Sequence, residues 1–395
     1  MITGSKGKTT TTHMLASILT QAGHTTGLAS TEGVFIDNQV QKRFDRAGYY
    51  GARRVFRHKQ VTAAVLETAR GGLKKTGLYV DCCNVAALLN VQEVHIGKDG
   101  IENVEQMARH KRQVTDAAED AVVLNADDLH CVALINDYDA NKVLAFSLDR
   151  NNPVIPALVA RGGRALTLDS HGRYIVVCDH QENKELVSVK AIPTTHNGRI
   201  KFNIANAMAA SALALGLGID ADAIRRGLAD VESSIKDLPN RFSVLGDLQF
   251  QVVMDKAASP HGLRAIIPSV MNLETKGRRV GVLFAPGDRP DYVYSKMAKV
   301  VFDKFDNFIC YENKSYLRGR KLGEISNLYA KALKFYGVSD SKITKVTSID
   351  AAIQSLATML SAGDLVFIQR LPSDQLCRVE EKLRQISDNG TCRLD

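Results

Sequence analysis

A chain of 395 residues, 45% hydrophobic and 24% charged, is long enough for two or three globular cores and is neither disordered nor fibrous. The formal charge of +8 and pI near 9.0 suit phosphate or acidic ligands, but the basic residues sit in short groups such as Arg53 to Lys59, without the long basic run or aromatic platform of a nucleic-acid binder. No apolar run reaches the roughly 18 residues of a membrane span, no secretory pattern opens the chain, and seven scattered cysteines lack CxxC spacing, so the expectation is a cytoplasmic protein with neither nucleic acid nor membrane as partner.

The first element is a phosphate cradle. Gly4-Ser5-Lys6-Gly7-Lys8-Thr9-Thr10 follows an apolar residue and opens a helical pattern. Gly4 and Gly7 let successive N–H groups converge on an anion, Lys8 adds a cation, and Thr9 offers an oxygen to Mg²⁺. Only Met1-Ile2-Thr3 precede the loop where a complete buried strand is expected, which points to a piece of a longer chain.

Thr25 to Ser30 and Gly33 to Ile36 read as short strands. Val61 to Leu66 reads as a buried strand ending in Glu67-Thr68-Ala69-Arg70-Gly71-Gly72, and Asn84 to Leu89 as another ending in Asn90. Polar residues beside glycines at the carboxyl ends of such strands are what an open parallel sheet needs to build a site. A helix over Ile101 to Ala118 and a strand over Ala121 to Leu124 continue a doubly wound α/β pattern. From about 151 to 195 the pattern becomes period-two, as in a small antiparallel insert. Helices follow over Asn203 to Leu217 and Asp222 to Val231, and Leu238-Pro239-Asn240-Arg241 reads as a boundary turn. The division expected is therefore 1–240 and 241–395. Beyond it the βα rhythm restarts: strands over Phe250 to Met254, Arg279 to Phe284, Asn307 to Tyr311 and Asp364 to Gln369 alternate with helices, giving a second Rossmann-like α/β domain.

The ordered series of the phosphate loop, Glu67 to Gly72, Asn90 with His95 and Gly97, Asn125 to Asp128, Phe202 to Ala207, Pro239-Asn240-Arg241, Pro286-Gly287-Asp288-Arg289 and Leu317-Arg318-Gly319-Arg320 resembles the Mur ligase superfamily. Within it, the closest likeness is to the Mur-ligase-like C-terminal half of the cyanophycin synthetases, without their ATP-grasp half. The resemblance implies an ATP- and Mg²⁺-dependent ligase: a carboxylate is phosphorylated and the acyl phosphate is attacked by an amine, giving an amide and ADP. Its substrates would be an amino acid and a peptide-like carboxylate.

Carried over residue by residue, the resemblance makes Lys8 the phosphate holder within Gly4, Ser5, Lys6, Gly7, Thr9 and Thr10. Thr9, Glu67 and His95 become metal ligands, Lys111 the lysine that many relatives carry as a carbamate, and Asn206 the adenine contact. Arg241 would reach the phosphates, and Asp255 would be a ribose- or phosphate-side acid. Asp288, Arg289, Arg318 and Arg320 would serve the incoming amino acid. Self-association is left open.

The chain departs from the family pattern at Val94, where an acid precedes the metal-site histidine. It departs again at Lys256-Ala257-Ala258-Ser259-Pro260, which lacks an aromatic ring and an imidazole. Arg46 to Gly51 stands in place of a threonine-rich loop, and Tyr316 in place of an acid. A catalytically weakened nucleotide-binding subunit, or a fragment of a longer synthetase, is the alternative these changes leave open.

Overall fold

The computed structural model describes residues 1–42, 45–93, 97, 100–372 and 374–388. The chain divides into two compact units, Met1–Glu232 and Ser233–Asp395.

In the first unit the strands are β1 (Ile2–Thr3), β2 (Thr26–Ser30), β3 (Gly33–Ile36), β4 (Gln39–Lys42), β5 (Ala63–Leu66), β6 (Cys83–Leu88), β7 (Ala118–Asn125), β8 (Val143–Phe146), β9 (Arg164–Leu168), β10 (Tyr174–Cys178) and β11 (Asn183–Ser188). One sheet runs β1-β6-β7-β8-β9-β10-β11 and a second β4-β3-β2-β5. A parallel bridge between Ile2 and Glu67 joins the two at β1. That two-residue strand is bonded on both sides: Thr68 N–H donates to Ile2 O, and Ala87 and Leu89 N–H donate to Met1 O and Thr3 O. Ile2 and Thr3 are fully buried, so each ladder bond forms away from water. The period-two stretch forms the far edge of the larger sheet, where β9, β10 and β11 pair antiparallel beyond the parallel β8–β9 pair.

Helices cover both faces. Val122 and Leu124 pack with Met107, Cys131 and Ile155 of the helices Val104–Asp116, Leu129–Ile135 and Val154–Ala160. The alternate residue Ala121 lies within contact range of Gly216, at the end of the helix Lys201–Gly216. Successive strand residues point to opposite faces, so the sheet is doubly wound. The helix Lys8–Gln21 packs on Lys201–Gly216 and Ala221–Ala229.

The second unit holds β12 (Arg241–Leu245), β13 (Gln251–Asp255), β14 (Arg279–Leu283), β15 (Asn307–Cys310), β16 (Ile343–Lys345) and β17 (Leu365–Gln369), ordered β12-β13-β17-β14-β15-β16. Among the described strands of this unit only β12 is antiparallel to its neighbour. The apolar runs of β13, β14 and β17 supply Val252, Val282, Val366 and Ile368 to one core with Ile353, Leu356 and Leu383. This is the mixed α/β, parallel-rich architecture that the sequence pattern predicts for both halves.

Candidate active site

The phosphate loop leaves β1 and enters the helix Lys8–Gln21 through Gly7, which caps it in the left-handed region at φ 85°. Gly4 has φ 154°, and a Cβ there would stand 3.0 Å from the Cβ of Leu89. Asn90, just past β6, fixes the loop: its Oδ1 accepts from Ser5 N–H at 3.1 Å and Lys6 N–H at 2.8 Å, and its Nδ2 donates to Lys6 O. Ser5 Oγ accepts from Gln92 N–H. The Asn125–Asp128 motif is a tie between strand ends. Asn125 Nδ2 donates to Leu89 O, and Asp128 caps its helix and accepts from Val91 N–H.

Two lysines meet at one carbonyl. Lys8 Nζ and Lys111 Nζ each donate to Gly4 O at 2.9 Å. Lys111 is 2% exposed, and burial, reinforced by repulsion from Lys8 and Arg70, pulls its pKa from 10.5 down to about 7. It is therefore a buried, readily deprotonated amine rather than a solvated helix lysine.

Glu67, at the carboxyl end of β5, is 2% exposed and well supplied with donors. Its Oε2 accepts from Thr9 Oγ1 and Thr31 N–H, both at 2.9 Å, and its Oε1 accepts from Thr31 Oγ1 at 2.7 Å. Lys8 Nζ lies 4.0 Å from Oε1. A hydroxyl and a carboxylate in contact beside a phosphate loop are hard oxygen donors, and they fit Mg²⁺ sharing its sphere with phosphate and water. Among the described residues no group of three His, Cys, Asp or Glu side chains could hold a metal alone. Thr10 is buried in the first helical turn, and Thr9 is the threonine that reaches Glu67. His95 and Val94 lie outside the described residues.

Asn206 is buried under the loop. Its Oδ1 would lie 2.4 Å from a Cβ on Gly7, its Nδ2 donates to Asn203 Oδ1, and Asn203 Nδ2 donates to Thr194 O. Neither amide is a surface group, and both brace the P-loop helix from the next helix.

Beside the loop opens a cavity of about 540 Å³ whose lining includes Gly4, Lys8, Arg46, Tyr49, Arg70 and Lys111. Sequence reasoning passed over Thr31 and the cavity role of Arg46 and Arg70. The polar turn Ser30-Thr31-Glu32-Gly33 between two strands was the available signal for the first.

Arg241 and Asp255 belong to the second unit, where they face each other across the β12–β13 ladder. The Asp255 carboxylate accepts from Phe242 N–H at 3.0 Å and Ala257 N–H at 2.7 Å, which pins the strand-to-crossover turn. The segment Lys256–Pro260 continues as a capping turn, with Ser259 Oγ accepting from Gly262 N–H. Arg318 pairs with Asp288 at 2.7 Å. Arg320 donates to Gly287 O and Arg289 O and pairs with Asp291 and Glu324, so its fork is spent holding the Pro286–Arg289 loop. Tyr316 presents its ring to the guanidinium groups of Arg318 and Arg370, each 5.3 Å from the centroid, a cation–π contact at the position of the family's acid.

No described helix is long and apolar enough to cross a membrane. Residues 2–214 match the Mur ligase middle domain and residues 240–369 the Mur ligase glutamate ligase domain. The cyanophycin synthetase of Synechocystis sp. is 35% identical over 334 residues, which is 84% of this chain and 38% of that protein. The chain thus spans about two fifths of that relative. Among solved structures, MurF from Acinetobacter baumannii superposes with a TM-score of 0.68 at 17% identity, over 97% of this chain and 76% of that one. E. coli FolC in complex with DHPP and ADP gives a TM-score of 0.66 at 19% identity, over 96% and 87%. The fold agrees with the sequence match, and the two domain models together span both units: the chain belongs to the Mur ligase family.

Proposed function

We propose that the protein is an ATP- and Mg²⁺-dependent amide ligase that joins the amine of an amino acid to a peptide-like carboxylate through an acyl phosphate, releasing ADP and phosphate. The observation that carries this reading is the convergence of Lys8 and Lys111 at Gly4, on the wall of an open cavity, with Lys8 Nζ also 4.0 Å from the Glu67 carboxylate that Thr9 bonds. The names of the relatives, a cyanophycin synthetase and a FolC bound to ADP, support it.

The nucleophile in such a reaction is the substrate's amine, so the protein's task is positioning and charge neutralisation. The loop N–H groups and Lys8 hold the transferred phosphoryl group, and Lys8 turns from Gly4 O towards it. Thr9 and Glu67, with His95 as the third candidate ligand, hold Mg²⁺, which when bound neutralises phosphate charge. The neutral form of Lys111, about half of the population near pH 7, can add CO₂ with loss of one proton to give a carbamate anion, which would place a negative charge where the protonated lysine now donates to Gly4 O. Asn206 and Asn203 brace the loop on the nucleotide side. For Arg241 and Asp255, in the second unit, the proposed role in nucleotide binding rests on the family resemblance alone.

The test is ADP release by the full chain with a panel of amino acids and acidic peptides, with mass spectrometry of the product. ATP binding by calorimetry without ADP across the panel would favour the weakened-subunit alternative.

A further inference from the structure

The neighbouring strands β13, β17, β14 and β15 of the second unit run parallel and end on the same side of their sheet. In an open parallel sheet those carboxyl ends are where a site is built. Gln369, the last residue of β17, ties all of them. Its Nε2 donates to Ala257 O at 2.7 Å, just past β13, and its Oε1 accepts from Phe284 N–H at 3.1 Å, just past β14. Its backbone carbonyl accepts from Tyr311 Oη at 2.9 Å, just past β15. Tyr329, on the helix Glu324–Phe335, donates its hydroxyl to the same Oε1 at 3.4 Å. Gln369 is 0% exposed, so these bonds form away from water. An amide serves a carbonyl and an N–H at once. A carboxylate cannot donate to Ala257 O, and an apolar side chain leaves both groups unpaired.

Each of these bonds enters a braced segment. On one side Ala257 N–H donates to Asp255 Oδ1 at 2.7 Å and Lys256 N–H to Asn240 O at 3.0 Å, so the Ala257 carbonyl moves with Asp255 and with the turn before Arg241. On the other side Gly287 N–H donates to Tyr316 O, Tyr294 Oη to Pro286 O, and Arg320 to Gly287 O and Arg289 O, which joins the loop after Phe284 into one body with Asp288 and Arg289. Close-packed bodies transmit a displacement rather than absorb it.

We propose that Gln369 is a positioning residue that fixes the crossover after β13 and the loop after β14 at one mutual setting, so that a ligand held by either segment orders the other. What the two segments bind, nucleotide on the Asp255 side and incoming amino acid on the Asp288 side, rests on the ligase reading; the mechanical tie does not.

The test compares the wild-type chain with three variants. Gln369→Met keeps the length of the side chain without its amide, Tyr311→Phe removes one hydroxyl and keeps the ring, and Ile368→Val loosens the same core without touching the tie. Hydrogen–deuterium exchange read by mass spectrometry should rise together in 256–260 and 284–289, by about tenfold in Gln369→Met and by a smaller factor in Tyr311→Phe. It should stay at the wild-type level in Ile368→Val despite a lower melting temperature. In the ADP-release assay, KM for ATP and KM for the amino acid should both rise roughly tenfold in Gln369→Met, with kcat less affected, and neither should change in Ile368→Val. Wild-type exchange in Gln369→Met, a rise in only one of the two segments, or Ile368→Val matching Gln369→Met would overturn the proposal. Raised exchange with both KM values at the wild-type level would overturn the positioning role. If Gln369→Met does not fold, Tyr311→Phe decides by the same exchange pattern. ADP release by no substrate pair would remove the ligase reading and leave the exchange pattern to decide the tie.

Discussion

A lysine buried against another lysine gives up its proton near neutrality, and Lys111 is that case at about 7. Between pH 7 and 10.5 the unfolded side chain holds a proton that the folded one has released, so the folded state gains stability as pH rises through this window. The gain approaches about 1.4 kcal/mol per pH unit for one such group. Below pH 7 both states are protonated and the full penalty applies. In CO₂-free buffer, the difference in urea stability between wild type and Lys111→Met should therefore change with pH between 7 and 10, and a constant difference would contradict the burial argument. Thr31 offers a second test at this scale. It gives both an N–H and a hydroxyl to Glu67, orienting the carboxylate from outside the proposed metal sphere. Thr31→Val keeps the N–H, and the Mg²⁺ concentration for half-maximal ADP release should rise by roughly tenfold. Thr31 stayed hidden in the sequence because its partner is 36 residues away, and the loop between two strands carries no motif that names it. Arg320, a candidate for the incoming amino acid in the sequence, donates to Gly287 O and Arg289 O, partners that lie 33 and 31 residues away and that no local pattern reveals.

Elements hold these residues through close backbone approaches. Gly227, in the helix Ala221–Ala229, would place a Cβ 2.3 Å from Ile18 Cα of the P-loop helix. Gly227→Ala must push two packed helices apart and should cost roughly 1–3 kcal/mol, read as a lower urea midpoint. At Gly7 the left-handed φ and the 2.4 Å approach of Asn206 Oδ1 act together, so Gly7→Ala should also abolish binding of a non-hydrolysable ATP analogue by calorimetry. The strands were legible because buried parallel strands are continuous apolar runs: β5, β6, β14 and β17 fall within or beside the segments that pattern alone predicts. The antiparallel β12 was not, since Arg241 to Leu245 mixes polar and apolar residues and its place depends on pairing with β13. The short β1 raised doubt in the sequence because length is the local measure of a strand. In the fold, neighbours on both sides supply its bonds.

At the scale of the molecule, the order of motifs along the chain carried more information than any motif alone, and the family match over 2–214 and 240–369 follows that order. Substrate identity was not legible, because the side chains that line the cavity at the phosphate loop, Arg46 and Arg70 among them, come from separate segments that only the fold brings together. The central proposal is that this loop drives amide formation. Its most direct test is ADP release by the wild-type chain and by Lys8→Ala with an amino acid and an acidic peptide present, with the product weighed by mass spectrometry. The expected result is ADP release that needs both substrates, a product equal to their sum less one water, and loss of both in Lys8→Ala. ADP release unchanged by Lys8→Ala, or ATP bound with no ADP formed across the panel, would contradict it.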